Sequence, residues 1–347
     1  MRMKGRIRRG KEWFLRVVIL VLALNSVCVA ASENPTLVLG GFTTPREAYG
    51  KAIIPAFQSF WKTKTGQNVM FQESYLGSGA QARAIISGFE ADVAALSLEG
   101  DIDKIAEGGL IKHDWKGNAK KGMVSRSIVV FAVRKGNPKA IHDWADLGKK
   151  GIQILTPNPK TSGGAMWNVN ALYGAALRGQ VKGVAKGDAT AARQLLRNVF
   201  QNVTVMDKGA RESITNFERG VGDLAITYEN EVLVGRQAGQ TYDYVVPRST
   251  ILIENPVAIV DKWAEKHKTR ELGQAFVEFL WTPEAQRMFA KYGLRSIDPA
   301  VEQETAKFFP PVEDLWTIEY LGGWPAVSKN IFGPQGVYTQ VMAELRR

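Results

Sequence analysis

The chain has 347 residues, of which 45% are hydrophobic and 23% charged, and this composition is that of a globular protein with room for two lobes or one large domain. Its formal net charge of +11 overstates the basic character of the folded part, because the first 31 residues hold seven basic residues and one acid. Without that segment the charge falls to +5, which is weak evidence for nucleic-acid binding.

Those first 31 residues have the pattern of a secretory signal. A basic head precedes an apolar run at 17–24 and small residues near Ala30 and Ala31, which predicts cleavage after one of these two alanines. The run is shorter than the roughly 20 residues of a membrane-spanning helix, so cleavage is favoured over a retained anchor. The only cysteine, Cys28, leaves with the segment. We therefore expect a periplasmic protein that folds without disulfides.

From Thr36 onwards, strand-like and helix-like segments alternate, which predicts an α/β fold. The predicted strands are 36–39, 69–72, 92–96, 127–134, 151–155, 203–205, 223–227 and 251–260. The predicted helices are 45–65 with a bend at Pro55, 77–86, 101–107, 143–147, a long helix that begins near Ser162, 189–198, 210–219, 269–280 and 283–292, followed by a mixed tail.

One unit recurs in this pattern: a strand, a small polar turn and a helix. It occurs at Ser78, at Ser162 and at Gly209-Ala210. A serine at a helix start caps backbone amides, and the two glycines after Ser162 leave such amides open to a ligand, which favours an anion there. Ligands of open α/β sheets lie beyond the carboxyl ends of the strands, so we expect the three starts to converge on one cleft. Ordinary helix caps are the alternative interpretation.

Catalytic and cofactor motifs are absent from the sequence. His113, His142 and His267 have no metal-like spacing, and His142 fits a structural helix entry. The sequence contains no nucleophile elbow, no phosphate-binding Gly-Lys-Ser/Thr loop and no dinucleotide fingerprint. The sequence therefore predicts a binding protein without metal or cofactor. A hydrolase of sulfate or phosphate esters, the competing hypothesis, would need a nucleophile with a base beside it.

Several segments in order resemble the periplasmic sulfate-binding proteins that serve ABC importers. They are 42–47, 75–81, 133–139 with 141–144, 156–165, 209–211, 222–223 with 228–231, and 322–324 with Phe332. The resemblance spans nearly the whole mature chain. It implies a two-lobed periplasmic binding protein of type II, in which each lobe is a central sheet flanked by helices and the ligand lies in the cleft between them. The implied lobes are 34–125 plus 248–347, and 126–247.

The resemblance also implies which residues hold the sulfate, mostly through main-chain N–H groups and neutral side chains. Carried over by position, they are Thr43, Ser78, Ser162, Gly163, Gly164, Ala210 and Tyr228. Two of them depart from the usual pattern. Thr43 stands where an aspartate is usual, but that contact is a main-chain amide. Tyr228 stands where a tryptophan is usual, and its phenol can also donate.

The resemblance implies sulfate as the ligand and the permease subunits of a sulfate ABC importer as partners of a monomeric protein. Sulfate at neutral pH has only acceptors, whereas a protonated phosphate needs a carboxylate beside its hydroxyl. The nearest acid to the three helix starts in sequence is Glu212, so a site of donors is expected. Thiosulfate or another tetrahedral oxyanion is the alternative ligand, and signalling to a chemoreceptor would use the same site.

Overall fold

The computed structural model describes residues 34–346, and the predicted secretory signal lies outside them. The ten strands of the described part are β1 Thr36–Phe42, β2 Met70–Leu76, β3 Val93–Ala95, β4 Met123–Val133, β5 Ile154–Pro157, β6 Val203–Asp207, β7 Leu224–Tyr228, β8 Asp243–Val245, β9 Ser249–Ile259 and β10 Asp314–Trp316. The alternation of strands and helices predicted from the sequence is therefore confirmed.

Fifteen α-helices connect or follow these strands in the described residues. They are α1 Arg46–Ala48, α2 Ile54–Thr65, α3 Ser78–Ile86, α4 Glu99–Glu107, α5 Trp144–Leu147, α6 Gly163–Leu177, α7 Ala189–Gln201, α8 Ala210–Glu218, α9 Glu229–Gln237, α10 Asp261–His267, α11 Arg270–Leu280, α12 Pro283–Lys291, α13 Pro299–Thr305, α14 Gly323–Asn330 and α15 Val337–Leu345. A π-helical turn, Tyr49–Ile53, joins α1 to α2. Short 3₁₀ turns lie at Ala306–Phe308 and Ile318–Leu321.

Two long strands, β4 and β9, join the two halves of the sheet, whose order is β2-β1-β3-β9-β4-β7-β5-β6. On one side β1 runs parallel to β2 and β3, and on the other β5 runs parallel to β6 and β7. The first part of β4 pairs antiparallel with β9, and its second part, from Val129 to Val133, pairs with β7. Each half of the sheet thus consists of parallel strands followed by helices, and the two halves share β4 and β9.

The C-terminal segment packs on helices of the middle of the chain. The Trp324 ring meets that of Trp167 edge-on at a centroid distance of 4.7 Å, and Tyr338 meets Phe200 at 5.1 Å. These side chains join the large apolar core that surrounds α6 and β5. Aromatic rings contribute large buried areas, so the segment is held firmly against α6 and α7.

Some sequence predictions differ from the structure. The predicted bend at Pro55 is instead the π-helical turn Tyr49–Ile53, since Pro55 occupies the first turn of α2, where no amide hydrogen is needed. Helices α9 and α10 and strand β8 were not predicted. His142 precedes α5 as expected, and its N–H donates to Asp146 Oδ2 at 2.8 Å.

Candidate anion-binding site

Six strands end at one place in the molecule. In the first half of the sheet, β1 is followed by Thr43, β2 by Ser78 and β3 by Ser97. In the second half, β5 is followed by Ser162, β6 by Ala210 and β7 by helix α9. Within each half, the parallel direction brings the three carboxyl ends of that half to one edge. The three helix starts singled out in the sequence lie together in the structure.

The start of α6 lies at the centre of this convergence. Ser162 is its N-cap, and its hydroxyl oxygen accepts from the Ala165 N–H at 3.4 Å, so the hydroxyl proton stays available to another acceptor. Gly163 and Gly164 are the first two helical residues, where N–H groups have no acceptor within the helix. All three residues are buried. Open donors at a helix start form an anion-binding arrangement.

The glycines are required by close packing against other predicted site residues. A methyl group on Gly164 would lie 2.6 Å from Tyr228 Cε2 and 3.4 Å from Ala210 Cβ. A methyl group on Gly163 would lie 2.6 Å from Ser97 Oγ. Real Cβ atoms do not approach neighbours this closely, so larger residues would displace the surrounding donors. The α6 start, the α8 start and the end of β7 are thus in direct contact.

The α3 start meets the same cluster from the other half of the sheet. The Ala80 N–H donates to the Thr161 carbonyl at 3.1 Å, immediately before Ser162. A Cβ atom on Gly77 would lie 2.8 Å from the Lys208 carbonyl oxygen. Thr43 Oγ1 lies within 3.5 Å of the corresponding position on Gly209. All seven predicted residues, Thr43, Ser78, Ser162, Gly163, Gly164, Ala210 and Tyr228, are therefore brought together, and each is at most 8% exposed or classed as buried.

One expectation about this site is wrong: a carboxylate does lie beside a helix start. Ser78 Oγ donates to Asp101 Oδ2 at 2.7 Å and accepts from the Ser97 N–H at 3.0 Å. Asp101 is buried, and its other oxygen lies 2.9 Å from Lys104 Nζ. The Ser78 hydroxyl is therefore fully used within the protein, and this residue has only its backbone N–H to offer a ligand. Sequence reasoning missed Asp101 because it belongs to α4, 23 residues away.

An ion-pair network lies directly behind the site. Arg211, which follows Ala210, donates to both carboxylate oxygens of Glu47 at 2.9 and 2.8 Å. Its Nε lies 2.9 Å from Glu231 Oε2, and its Nη2 donates to the Thr44 carbonyl at 3.3 Å. Thr44 follows Thr43, and Glu231 lies three residues after Tyr228. The network therefore ties together the chain segments that carry three of the predicted site residues.

Glu231 is fully buried in this network, and no side chain in the described part of the molecule makes a well-aligned hydrogen bond to its carboxylate. Burial raises the pKa of Glu231 to about 7, with repulsion from Glu47 acting in the same direction and attraction to Arg211 acting against it. Desolvation thus outweighs the ion pair.

We expect the Glu231→Gln variant to lose part of the pH dependence of stability. An acid whose pKa is raised on folding destabilises the folded state increasingly as pH rises from the unfolded value of 4.5 to the folded value of about 7. Relative to the variant, the unmodified protein should lose roughly 3 kcal/mol of unfolding free energy across that range. Urea unfolding at pH 4.5, 6 and 8 measures the difference, and a constant difference would contradict the prediction.

Metal coordination is not supported by the described residues. Within residues 34–346, no cluster of three or more His, Cys, Asp or Glu side chains could hold a metal ion. Helices long and apolar enough to cross a membrane are likewise not found among them.

Comparison with known proteins agrees with this architecture. The model of the family "Bacterial extracellular solute-binding protein" matches residues 46–295. The sulfate-binding protein of Synechococcus elongatus is 42% identical over 91% of this chain and 89% of its own length, and that of Escherichia coli is 40% identical over 94% and 96%. A thiosulfate-binding protein from Pseudomonas aeruginosa is 36% identical over 92% of this chain and 95% of its own length.

A solved structure shows the same fold. The sulfate-binding protein SubI from Mycobacterium tuberculosis superposes with a TM-score of 0.77 and 36% identity, over 85% of this chain and 98% of that protein. The chain belongs to the bacterial extracellular solute-binding proteins, in the group formed by the sulfate-binding proteins and their thiosulfate-binding relatives.

Proposed function

We propose that this protein captures sulfate outside the cytoplasm and delivers it to the permease subunits of an ABC importer. The observation that carries the proposal is the convergence of three helix starts whose open donors are backbone N–H groups and one hydroxyl. Sulfate is a dianion with acceptors only, and such donors can hold it without a counter-charge. Sulfate-binding relatives at about 40% identity over most of the chain support this ligand.

We assign the contacts to the anion as the sequence resemblance implies. Ser162 contributes its hydroxyl, and Gly163, Gly164 and Ala210 contribute backbone N–H groups from helix starts. Thr43 and Ser78 contribute backbone N–H groups from the other half of the sheet, because the Ser78 hydroxyl is occupied by Asp101. Tyr228 contributes its phenol. Donors from both halves would converge on one anion, so binding would hold the halves together.

The two halves of the sheet are our proposed lobes, with β4 and β9 crossing between them. Residues 34–125 and 248–313 would form the first lobe and residues 126–247 the second. The resemblance placed residues 314–345 in the first lobe. The aromatic contacts of Trp324 and Tyr338 favour placing them with the second lobe instead. We propose that the protein acts as a periplasmic monomer after removal of its signal segment.

A titration panel tests the ligand assignment. Calorimetry on the purified protein with sulfate, thiosulfate, phosphate and molybdate should give the tightest binding for sulfate, with a dissociation constant near micromolar, about −8 kcal/mol. Thiosulfate is the second candidate, because a thiosulfate-binding relative is 36% identical and Tyr228 replaces the usual tryptophan. Clear heat with phosphate and none with sulfate would overturn the proposal, and Asp101 would then be the acceptor to examine.

A further inference from the structure

Ser97 is a buried residue of the site that the sequence did not reveal. Its Oγ lies 2.6 Å from the Tyr228 hydroxyl oxygen, across 131 residues of chain. Its backbone is fixed on both sides, since its N–H donates to Ser78 Oγ and its carbonyl accepts from Trp167 Nε1 and Asn255 Nδ2, each at 3.0 Å. The Ser97 hydroxyl is therefore held in place, free only to rotate.

The hydroxyl groups of Ser97 and Tyr228 have two protons between them, and their mutual hydrogen bond needs only one. Each hydroxyl has one proton to donate and can also accept, and their mutual hydrogen bond uses one of the two protons. Within residues 34–346, neither hydroxyl makes another side-chain hydrogen bond, although Ser97 is fully buried and Tyr228 is 1% exposed. The pair lies against Gly163 and Gly164, which open α6. The second proton is thus buried beside the open N–H groups of the anion site.

We propose that Ser97 and Tyr228 form a hydroxyl relay that determines how tightly the oxyanion is held: Ser97 donates to the phenolic oxygen, and Tyr228 donates to the anion. The inference rests on the proposed function and deepens it. A hydroxyl that accepts a hydrogen bond becomes a stronger donor, and Ser97 also fixes the direction of the phenol proton. The indole N–H of the tryptophan that is usual at the position of Tyr228 needs no such partner, because it can only donate. Ser97 is a positioning residue, acting on the anion through Tyr228.

A double-mutant cycle tests the relay. With sulfate as the titrant, Tyr228→Phe should raise the dissociation constant about 30-fold, as expected for a hydrogen bond to a charged group. Ser97→Ala should raise it about 5-fold, because the phenol keeps its proton but loses its partner. The double variant should match Tyr228→Phe, since Ser97 has no phenol to act on. Additive effects, near 150-fold, or an unchanged constant for Ser97→Ala, would overturn the relay.

Ser296→Ala is the matched control. Ser296 is equally buried, donates to Gln286 Oε1 at 2.9 Å and accepts from the Asp298 N–H at 3.0 Å, so its removal costs hydrogen bonds that lie away from the site. It should lower thermal stability at least as much as Ser97→Ala while leaving the dissociation constant unchanged. If the unmodified protein binds no sulfate, the cycle is run with the panel anion that binds best. Binding of none would refute the proposed function and the relay together, whereas normal binding with an additive cycle refutes only the relay.

Discussion

Gly164→Ala should weaken sulfate binding about 100-fold. The added methyl group would lie 2.6 Å from Tyr228 Cε2 and 3.4 Å from both Ala210 Cβ and Ser162 Oγ, so the phenol and the two helix starts must separate. Overpacking of this kind costs typically 1–3 kcal/mol, and here it would be concentrated on groups that must all reach one anion. Calorimetric titration with sulfate measures the effect, with circular dichroism to verify that the variant is folded.

Gly273→Ala provides the control for a glycine in a helix. Gly273 lies within α11, and its added methyl group would make ordinary contacts of 3.7 Å with Leu37 and Val93. We expect unchanged sulfate affinity and a stability gain of up to about 1 kcal/mol from the better helix propensity of alanine. A dissociation constant for Gly164→Ala within threefold of the unmodified protein would show that the α6 start is not packed as tightly as described.

Arg211→Met should lower the free energy of unfolding by about 3 kcal/mol at pH 8. The substitution keeps an apolar stem but leaves the fully buried Glu231 without its positive partner, and breaking a buried ion pair typically costs about 3–5 kcal/mol. The loss should be smaller at pH 5, where Glu231, whose pKa burial raises to about 7, is protonated in either protein. Urea unfolding at pH 5 and pH 8 measures the loss of unfolding free energy at each pH.

The double variant Arg211→Met with Glu231→Gln separates charge from packing. It should recover most of the stability lost at pH 8, because no buried carboxylate remains. Glu47 is about a quarter exposed and can be solvated, so losing its partner should matter little. An equal loss at pH 5 and pH 8, or no recovery in the double variant, would mean that Arg211 contributes through packing alone.

Much of the site could be predicted from local sequence because its donors belong to helix starts. A serine followed by two glycines after a strand indicates a capped helix with open N–H groups, and Ser162 is indeed the N-cap of α6. That Ala210 and Ser78 reach the same place was expected because ligands of open α/β sheets lie beyond the carboxyl ends of the strands. The resemblance to the sulfate-binding proteins indicated which residues contact the anion, which local patterns alone could not do.

The remaining features depend on pairs that are distant in sequence. Asp101 reaches Ser78 from another helix, and Ser97 reaches Tyr228 from the other half of the sheet. Neither Asp101 nor Ser97 has a local sequence pattern, because each contacts a residue that only the tertiary fold brings near. The burial of Glu231 beside Arg211 likewise comes from the packing of α8 and α9 near Thr44.

The sharing of β4 and β9 between both halves of the sheet has a consequence for folding. Strand β9 begins at Ser249, so residues 36–248 contain every predicted anion contact but not the strand that links β3 to β4. Contacts of such long sequence separation form late, because the intervening chain must first be ordered. We therefore expect the ligand to stabilise the chain only after β9 has entered the sheet. Binding can stabilise only the finished molecule.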